Sequence, residues 1–164
     1  MIADLHKYDT VIFGCGNILM GDDGFGPGVM EYLEQHHTLP AGVMAVDVGT
    51  SIRDILFDLL LSPQKPRRIF IVDAVSESGR LPGDVFELPL SRIPECKVND
   101  FSVHQFPSLN LLQELHESGG VEVCIVAAQT GHIPDEVEPG LSSAVQAAIP
   151  KACAWLLDRI GRCS

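Results

Sequence analysis

Four carboxylates and one histidine stand at places in this chain where they could do chemistry. They are Asp22, Asp23, Asp47, Asp73 and His104. Carboxylate oxygens and an imidazole nitrogen together suit nickel, zinc, iron or manganese. A site with three protein ligands also keeps a coordination position open for water or for a partner's ligand. These residue types therefore predict a metal site with oxygen and nitrogen ligands, provided that the fold brings them together.

The first two carboxylates lie in a glycine-rich loop that follows an apolar strand. The loop, residues 14–28, reads GCGNILMGDDGFGPG. Backbone N–H groups at a helix start bind phosphate, but Asp22 and Asp23 would repel a phosphate and attract a cation. Leu19 also stands where the dinucleotide fingerprint requires its third glycine. The loop is therefore interpreted as a cation-binding loop and not as a nucleotide-binding one.

The pattern along the chain alternates between strand and helix. It predicts strands at residues 11–13, 43–48, 68–72, 84–90 and 121–127. It predicts helices at residues 26–37, 52–61, from 104 or 107 to about 119, and 141–160. The fourth strand is expected at an edge because Pro89 lies within it. We predict an α/β fold of one domain, residues 1–164: a three-layer sandwich with a mainly parallel, twisted sheet and helices on both faces.

This architecture gives the scattered polar residues a common location. Parallel strands bring their carboxyl ends to one rim, and sites in open α/β sheets form beyond that rim. Asp22 and Asp23 follow the first strand, Asp47 ends the second and Asp73 ends the third. His104 opens the helix that follows the long loop. We therefore expect the five side chains to converge, although they are far apart along the chain.

Each of these residues also has a structural interpretation. Asp23 can cap the helix that follows it, and Asp73 can accept N–H groups of its loop. Asp47 can pin the turn after it, and a lone histidine such as His104 is more often structural than catalytic. Ser51 is expected to cap the 52–61 helix. Spacing alone leaves both interpretations open.

Charge and composition limit the partners. The 164 residues carry 22 acidic and 11 basic side chains, a net charge of −11. Such a surface repels nucleic acid and anionic membranes. A hydrophobic content of 46% fits a compact protein, and no apolar run reaches the ~18–20 residues of a membrane helix. Because the first residues do not resemble a signal peptide, a cytoplasmic location is expected.

The cysteines indicate reduced thiols. There are five of them, an odd number, and no Cys-x-x-Cys pair occurs, which argues against a disulfide framework or a structural zinc site. Cys124 and Cys153 lie in apolar runs and are expected in the core. Cys15 lies in the glycine-rich loop. No Ser-His-Asp or Cys-His arrangement calls for a covalent nucleophile.

The glycine-rich loop resembles a family signature. Residues 14–26, GCGNILMGDDGFG, resemble the opening motif of hydrogenase maturation proteases, the endopeptidases that trim nickel–iron hydrogenase large subunits. The later motifs DVGT at 47–50, VDA at 72–74 and SVHQ at 102–105 follow in the family's order. The resemblance covers about residues 9–160. Residues 84–89 and 100–107 are most similar to the branch that serves deazaflavin-reducing hydrogenases of methanogens.

The resemblance implies a role for three residues. The family's metal-contacting acidic residue falls on Asp23, its second carboxylate on Asp73 and its histidine on His104. These three would be both the metal ligands and the catalytic residues. They would dock nickel that the partner, a hydrogenase large-subunit precursor, already carries. The reaction implied is removal of a short C-terminal peptide, with the docked metal positioning and polarising the scissile carbonyl or a water.

The same resemblance implies substrate recognition by Asp47, Gly49 and Thr50. The family often has Asp-Gly-Gly-Thr at this turn, whereas this chain has Val48 in place of the first glycine. A valine does not readily adopt a positive φ. Relatives can also carry glutamate where this chain has Asp23, which is one methylene shorter. These two positions are where the chain departs from the family pattern.

Two other classes of function stay open at this point. The start GCGN also resembles the Gly-x-Gly-Asn start of peptidyl-tRNA hydrolases, which use a similar α/β scaffold. That function requires a basic groove, and a net charge of −11 opposes it. The other alternative is a nickel-binding assembly factor that recognises the same precursor without cutting it.

Overall fold

The computed structural model describes residues 4–91 and 108–162 of the chain. The strands of the described part are β1 (Thr10–Cys15), β2 (Val43–Gly49), β3 (Arg68–Val75), β4 (Val85–Glu87) and β5 (Glu122–Gln129). Its α-helices are α1 (Phe25–His36), α2 (Ile52–Leu61), α3 (Ser108–Glu117) and α4 (Ser143–Gly161). Short 3-10 helices occupy Leu5–Lys7 and Gly21–Gly24. Within the described residues no helix is long and apolar enough to cross a membrane.

The strands form one sheet in the order β2-β1-β3-β5-β4. The first four of these are parallel to their neighbours, and β4 runs antiparallel to β5. Side chains of β1 alternate between two cores: Val11 and Phe13 pack with α2 and α3, while Ile12 packs with α1 and α4. The predicted three-layer sandwich with a mainly parallel sheet is therefore confirmed.

The strand boundaries differ from the predictions where pairing decides them. β3 continues to Val75 instead of ending at residue 72, because its residues from Asp73 onward still pair with β5. β4 is the expected edge strand, but it spans three residues instead of 84–90. Pro89 cannot donate to a ladder, which limits that strand. The predicted loop at 91–103 and the start of the third helix lie almost wholly outside the described residues.

Ser51 is the N-cap residue of α2 as expected, but it does not cap the helix through its side chain. The helix begins at Ile52 as predicted, but the Ser51 side chain makes no capping hydrogen bond. Its backbone N–H instead donates to the Val48 carbonyl at 2.9 Å, and its carbonyl accepts the N–H of Ile55 at 3.3 Å. The turn between β2 and α2 is therefore closed by the backbone, so the hydroxyl is not needed for it.

Candidate functional site

A glycine places the first loop on the ends of two strands. A Cβ at Gly26 would lie 2.2 Å from the carbonyl oxygen of Cys15 in β1 and 2.5 Å from that of Val72 in β3. Contacts this short exclude any side chain, so the first turn of α1 packs directly on the strand backbones. The 3-10 helix Gly21–Gly24 is thereby held at the carboxyl ends of β1 and β3.

Asp23 is fixed by the loop that precedes it. Gly16 has a φ of +135°, and a Cβ there would lie 1.8 Å from the Asp23 carbonyl oxygen. The Asp23 carboxylate turns back and accepts the N–H of Asn17 at 2.8 Å. The expected helix cap is wrong, because Gly24 is the N-cap of α1 and no side chain caps it. Asp23 is 7% exposed, and burial raises the pKa of its carboxyl against the opposing effect of the Asn17 bond.

Asp73 lies beside Asp23 at the same rim. It follows Val72, the last residue of β3 that pairs with β1. Its Oδ1 accepts the N–H of Ala74 at 2.8 Å, which is the local structural contact expected from the sequence. Burial, and then the negative charge of Asp23, raise the pKa of Asp73 well above its usual range, while the Ala74 bond lowers it. The fold thus brings Asp23 and Asp73 to one rim, near enough for their charges to interact.

These two carboxylates suit a cation or a proton. In the described part of the chain, no hydrogen bond reaches Oδ1 of Asp23 or Oδ2 of Asp73. Each residue can therefore give one oxygen to a divalent metal, which would also offset the repulsion between them. His104 lies outside the described residues, and no group of three or more His, Cys, Asp or Glu residues inside them could hold a metal ion. The metal site stays a prediction.

The turn formed by the last residues of β2 and by Thr50 completes the rim. Asp47 is exposed, and its Oδ1 accepts the N–H of Gly49 at 2.8 Å, which confirms that it pins the turn. Gly49 takes the positive φ, +53°, whereas Val48 does not and is buried. The departure from the family's double glycine therefore needs no strained valine. The Gly49 carbonyl accepts the N–H of Gly16 at 2.9 Å, which joins the turn to the first loop, and Thr50 is exposed beside it.

Cys15 lies beneath the carboxylates. It is 1% exposed, and burial followed by the charges of Asp73, Asp23 and Asp47 raises the pKa of its thiol well above the usual value. A thiol held neutral in this way is a poor nucleophile. All three acidic side chains lie near enough to Cys15 for their charges to act on its thiol. Cys124 and Cys153 are buried in the core as predicted.

Asp22 has a different role from the one expected. It is fully buried, and its Oδ2 accepts the N–H groups of Gly131 and His132, each at 2.7 Å, and the Ser142 hydroxyl at 2.9 Å. Its Oδ1 accepts the N–H of Ser142 at 2.6 Å. Both oxygens are therefore occupied, and the expectation that Asp22 attracts a cation is wrong. It anchors the 131–142 segment, and the sequence carried no signal for this because the partners lie 109 to 120 positions away.

Comparison with known proteins gives consistent matches over most of the chain. The family described as hydrogenase maturation protease matches residues 27–159. A protein of Methanocaldococcus jannaschii, named as a hydrogenase maturation protease, is 35% identical over 158 residues, covering 95% of this chain and 99% of the relative. The delta subunit of the coenzyme F₄₂₀ hydrogenase of Methanothermobacter thermautotrophicus is 34% identical over 157 residues, with coverages of 93% and 95%.

The fold matches as well as the sequence. The hydrogenase maturating endopeptidase HybD from Escherichia coli superposes with a TM-score of 0.73 at 28% identity, covering 94% of this chain and 93% of the other. The likeness in fold therefore extends over nearly the whole chain.

Proposed function

Since the chain belongs to the hydrogenase maturation protease family, we propose that it removes the C-terminal extension of a nickel-loaded hydrogenase large-subunit precursor in the cytoplasm. The resemblance seen in its motifs is confirmed, as is its similarity to proteins of methanogens. Membership in a protease family supports cleavage over the two alternatives, the peptidyl-tRNA hydrolase and the assembly factor that does not cut. The observation that carries the proposal is that the fold places Asp23, buried in the first loop, and Asp73, at the end of the β3 pairing with β1, at the same rim of the sheet.

Nickel enters this reaction as part of the substrate. Asp23 and Asp73 each offer one carboxylate oxygen to it, and His104 is the third ligand. Burial and then the charge of Asp23 raise the pKa of Asp73, and docking is favourable because a cation offsets the repulsion between the two carboxylates. With the metal held, the scissile carbonyl has a fixed position and water is the nucleophile. Polarisation of that carbonyl or of the water by nickel then lowers the barrier to hydrolysis.

Recognition of the precursor falls to the turn at the end of β2. Asp47 and Thr50 are exposed at the rim, and Gly49 leaves open space where a side chain would otherwise stand. The backbone of this turn is tied to the loop that carries Asp23 through Gly16. A peptide bound at the turn is therefore held next to the loop that carries Asp23. The similarity to a coenzyme F₄₂₀ hydrogenase subunit favours a precursor of that class.

The test is a cleavage assay on purified components. The chain is mixed with the nickel-loaded precursor, and the mass of the precursor is measured before and after. We expect the loss of one short C-terminal peptide, and no loss from the same precursor prepared without nickel. An intact precursor after binding would instead identify an assembly factor that does not cut.

His104→Ala tests the third ligand separately. The variant is expected to fold normally and to leave the nickel-loaded precursor uncut, because two carboxylates alone hold the ion too weakly and in the wrong position. Circular dichroism checks the fold. Normal processing by this variant would reject the role of His104 and leave the protease function in place.

A further inference from the structure

The two edges of the sheet are built differently. The β4 edge has three residues, is followed by Pro89, and has the Glu87 side chain paired with Arg159 at 3.1 Å. The β2 edge has seven residues, VMAVDVG, without proline or lysine and with Asp47 as its one charge. Short length, proline and charge are the devices that keep an edge from pairing with another chain. The β2 edge lacks them along most of its length.

The backbone of β2 offers hydrogen bonds on its outer side. The ladder between β1 and β2 includes the bond from the Thr10 N–H to the Gly42 carbonyl at 3.1 Å. Since the backbone groups of a parallel strand alternate between its two sides, Met44 and Val46 bond to β1. The N–H and C=O groups of Ala45 and Asp47 consequently face away from β1. In residues 4–91 and 108–162, no other strand pairs with β2.

An acidic groove accompanies this edge. It lies between α1 and β2, and its floor includes the apolar side chains of Leu33 and Ala45. Its titratable residues are Glu31, Glu34, His37 and Asp47. The two glutamates and Asp47 are exposed, and no lysine or arginine lines the groove in the described part of the chain. Such a groove complements an extended peptide that carries a cationic side chain.

The edge and the groove both lead to the catalytic rim. Asp47 belongs to both, and its turn is bonded to the loop of Asp23 through Gly16 and Gly49. A peptide that followed β2 toward its carboxyl end would therefore reach the rim that carries Asp23 and Asp73. The connection is short, because the Gly16 N–H donates to the Gly49 carbonyl at 2.9 Å and Gly16 lies directly against the Asp23 backbone.

We infer that an extended segment of the precursor adds to β2 as a further strand, with a basic side chain in the acidic groove, and so delivers its scissile bond to the rim. This inference rests on the proposed function. Strand addition supplies affinity through the backbone, and the groove supplies specificity. A second copy of this chain is disfavoured at the edge, because each copy has a net charge of −11. Glu31 and Glu34 of one copy would also face the same two glutamates of the other.

Charge reversal tests the groove. The test variant carries both Glu31→Lys and Glu34→Lys. Its control carries both Asp54→Lys and Asp58→Lys, which change the net charge by the same amount at exposed positions of α2, on the other side of the sheet. For the groove variant we expect the KM for nickel-loaded precursor to rise about five- to tenfold at low salt, with kcat retained. The difference should shrink as salt is added, because exposed charges are screened. The α2 variant should stay within about twofold of the wild type.

A proline tests the edge. Ala45→Pro removes an N–H on the outer side of β2, where proline is tolerated in an edge strand. Val85→Pro is the matched control, because the bonds of Leu88 and Asp84 to β5 place the Val85 N–H on the outer side of β4. We expect kcat/KM to fall about tenfold for Ala45→Pro, which loses a docking hydrogen bond and adds a ring at the interface. Val85→Pro should cut the precursor normally, and thermal unfolding checks both folds.

Hydrogen exchange of the wild-type chain mixed with precursor measures directly whether the precursor binds at β2. Protection of the amides in 43–49, with no change in 85–87, supports strand addition even if a proline variant does not fold. Absence of protection, or normal cleavage by both the groove variant and Ala45→Pro, overturns it while the protease function stands. A wild-type dimer that Ala45→Pro converts to a monomer overturns it in favour of a second copy. Failure of the wild type to cut nickel-loaded precursor rejects the proposed function, and hydrogen exchange then still decides the docking.

Discussion

Asp22 and Asp23 are adjacent in the chain, yet they belong to two regions with opposite electrostatic character. Asp22 accepts four hydrogen bonds from the 131–142 segment, so that both of its oxygens are occupied. Asp23 accepts one backbone N–H and acts on a second carboxylate, Asp73, whose pKa is raised. A buried carboxylate whose oxygens both accept hydrogen bonds stabilises the fold. Two neighbouring carboxylates that accept too few hydrogen bonds instead favour the binding of a proton or a cation. Adjacent residues of the same type thus serve structure and chemistry separately.

The largest expected effect is on activity and concerns Asp23 and Asp73. Asp23→Asn and Asp73→Asn keep the size of the side chain but remove the charge that docks nickel. We expect each to lower kcat/KM for nickel-loaded precursor by at least about 10³-fold, the equivalent of several kcal/mol of metal-dependent stabilisation. Mass spectrometry of the precursor measures this. Near-normal cleavage by either variant would place the chemistry elsewhere.

The next largest effect is on stability and concerns Asp22. Asp22→Ala leaves the N–H groups of Gly131, His132 and Ser142 without their acceptor, and we expect the free energy of unfolding to fall by about 2–4 kcal/mol. Asp135→Ala, at an exposed position of the same segment, should change it by less than about 0.5 kcal/mol. Urea unfolding measures both. If the two variants were equally stable, Asp22 would not be the anchor of the segment.

The smallest expected effect is again on stability, but with the opposite sign: substitution of Asp73 should stabilise the protein, whereas substitution of Asp22 should destabilise it. A carboxyl whose pKa is raised in the folded state contributes stability below its ordinary pKa of 3.8 and loses it as the pH rises through the folded value. Asp73→Asn should therefore be more stable than the wild type at neutral pH, by about 0.5–2 kcal/mol, as is common for substitutions at functional sites. The difference should vanish near pH 4.

Exposed Asp58→Asn is the control for that measurement and should show no such pH-dependent gain. Urea unfolding of the metal-free protein across this pH range is the measurement. A loss of stability in Asp73→Asn at neutral pH would show that its charge is already compensated and would remove the electrostatic argument for nickel docking.

Local sequence patterns predicted much of the fold and both carboxylates of the rim. The apolar runs located the strands, although β3 and β4 end elsewhere than predicted, and the rule for parallel sheets placed Asp23 and Asp73 at one rim. Three structural details were wrong: Asp23 does not cap α1, Ser51 does not cap α2 through its side chain, and Asp22 is not open to a cation. Asp23 and Ser51 bond instead to nearby backbone groups, those of Asn17 and Val48, whereas Asp22 is bonded by the distant 131–142 segment.

The glycines of the first loop also show what local patterns predict and what they do not. The spacing of the loop motif identified its family, but not the reason for Gly16 and Gly26. Tertiary contacts supply that reason, because a side chain at Gly16 would strike the Asp23 carbonyl and one at Gly26 would strike two strand backbones.

The order of amino acids by itself determined the α/β class, the family and the rim at which the acidic residues meet, because these follow from short-range periodicity and motif spacing. Only the tertiary structure decided which of two neighbouring aspartates is open to a ligand. That choice depends on donors from Gly131 to Ser142, more than a hundred residues along the chain, and no local pattern records which distant N–H group will reach a buried oxygen.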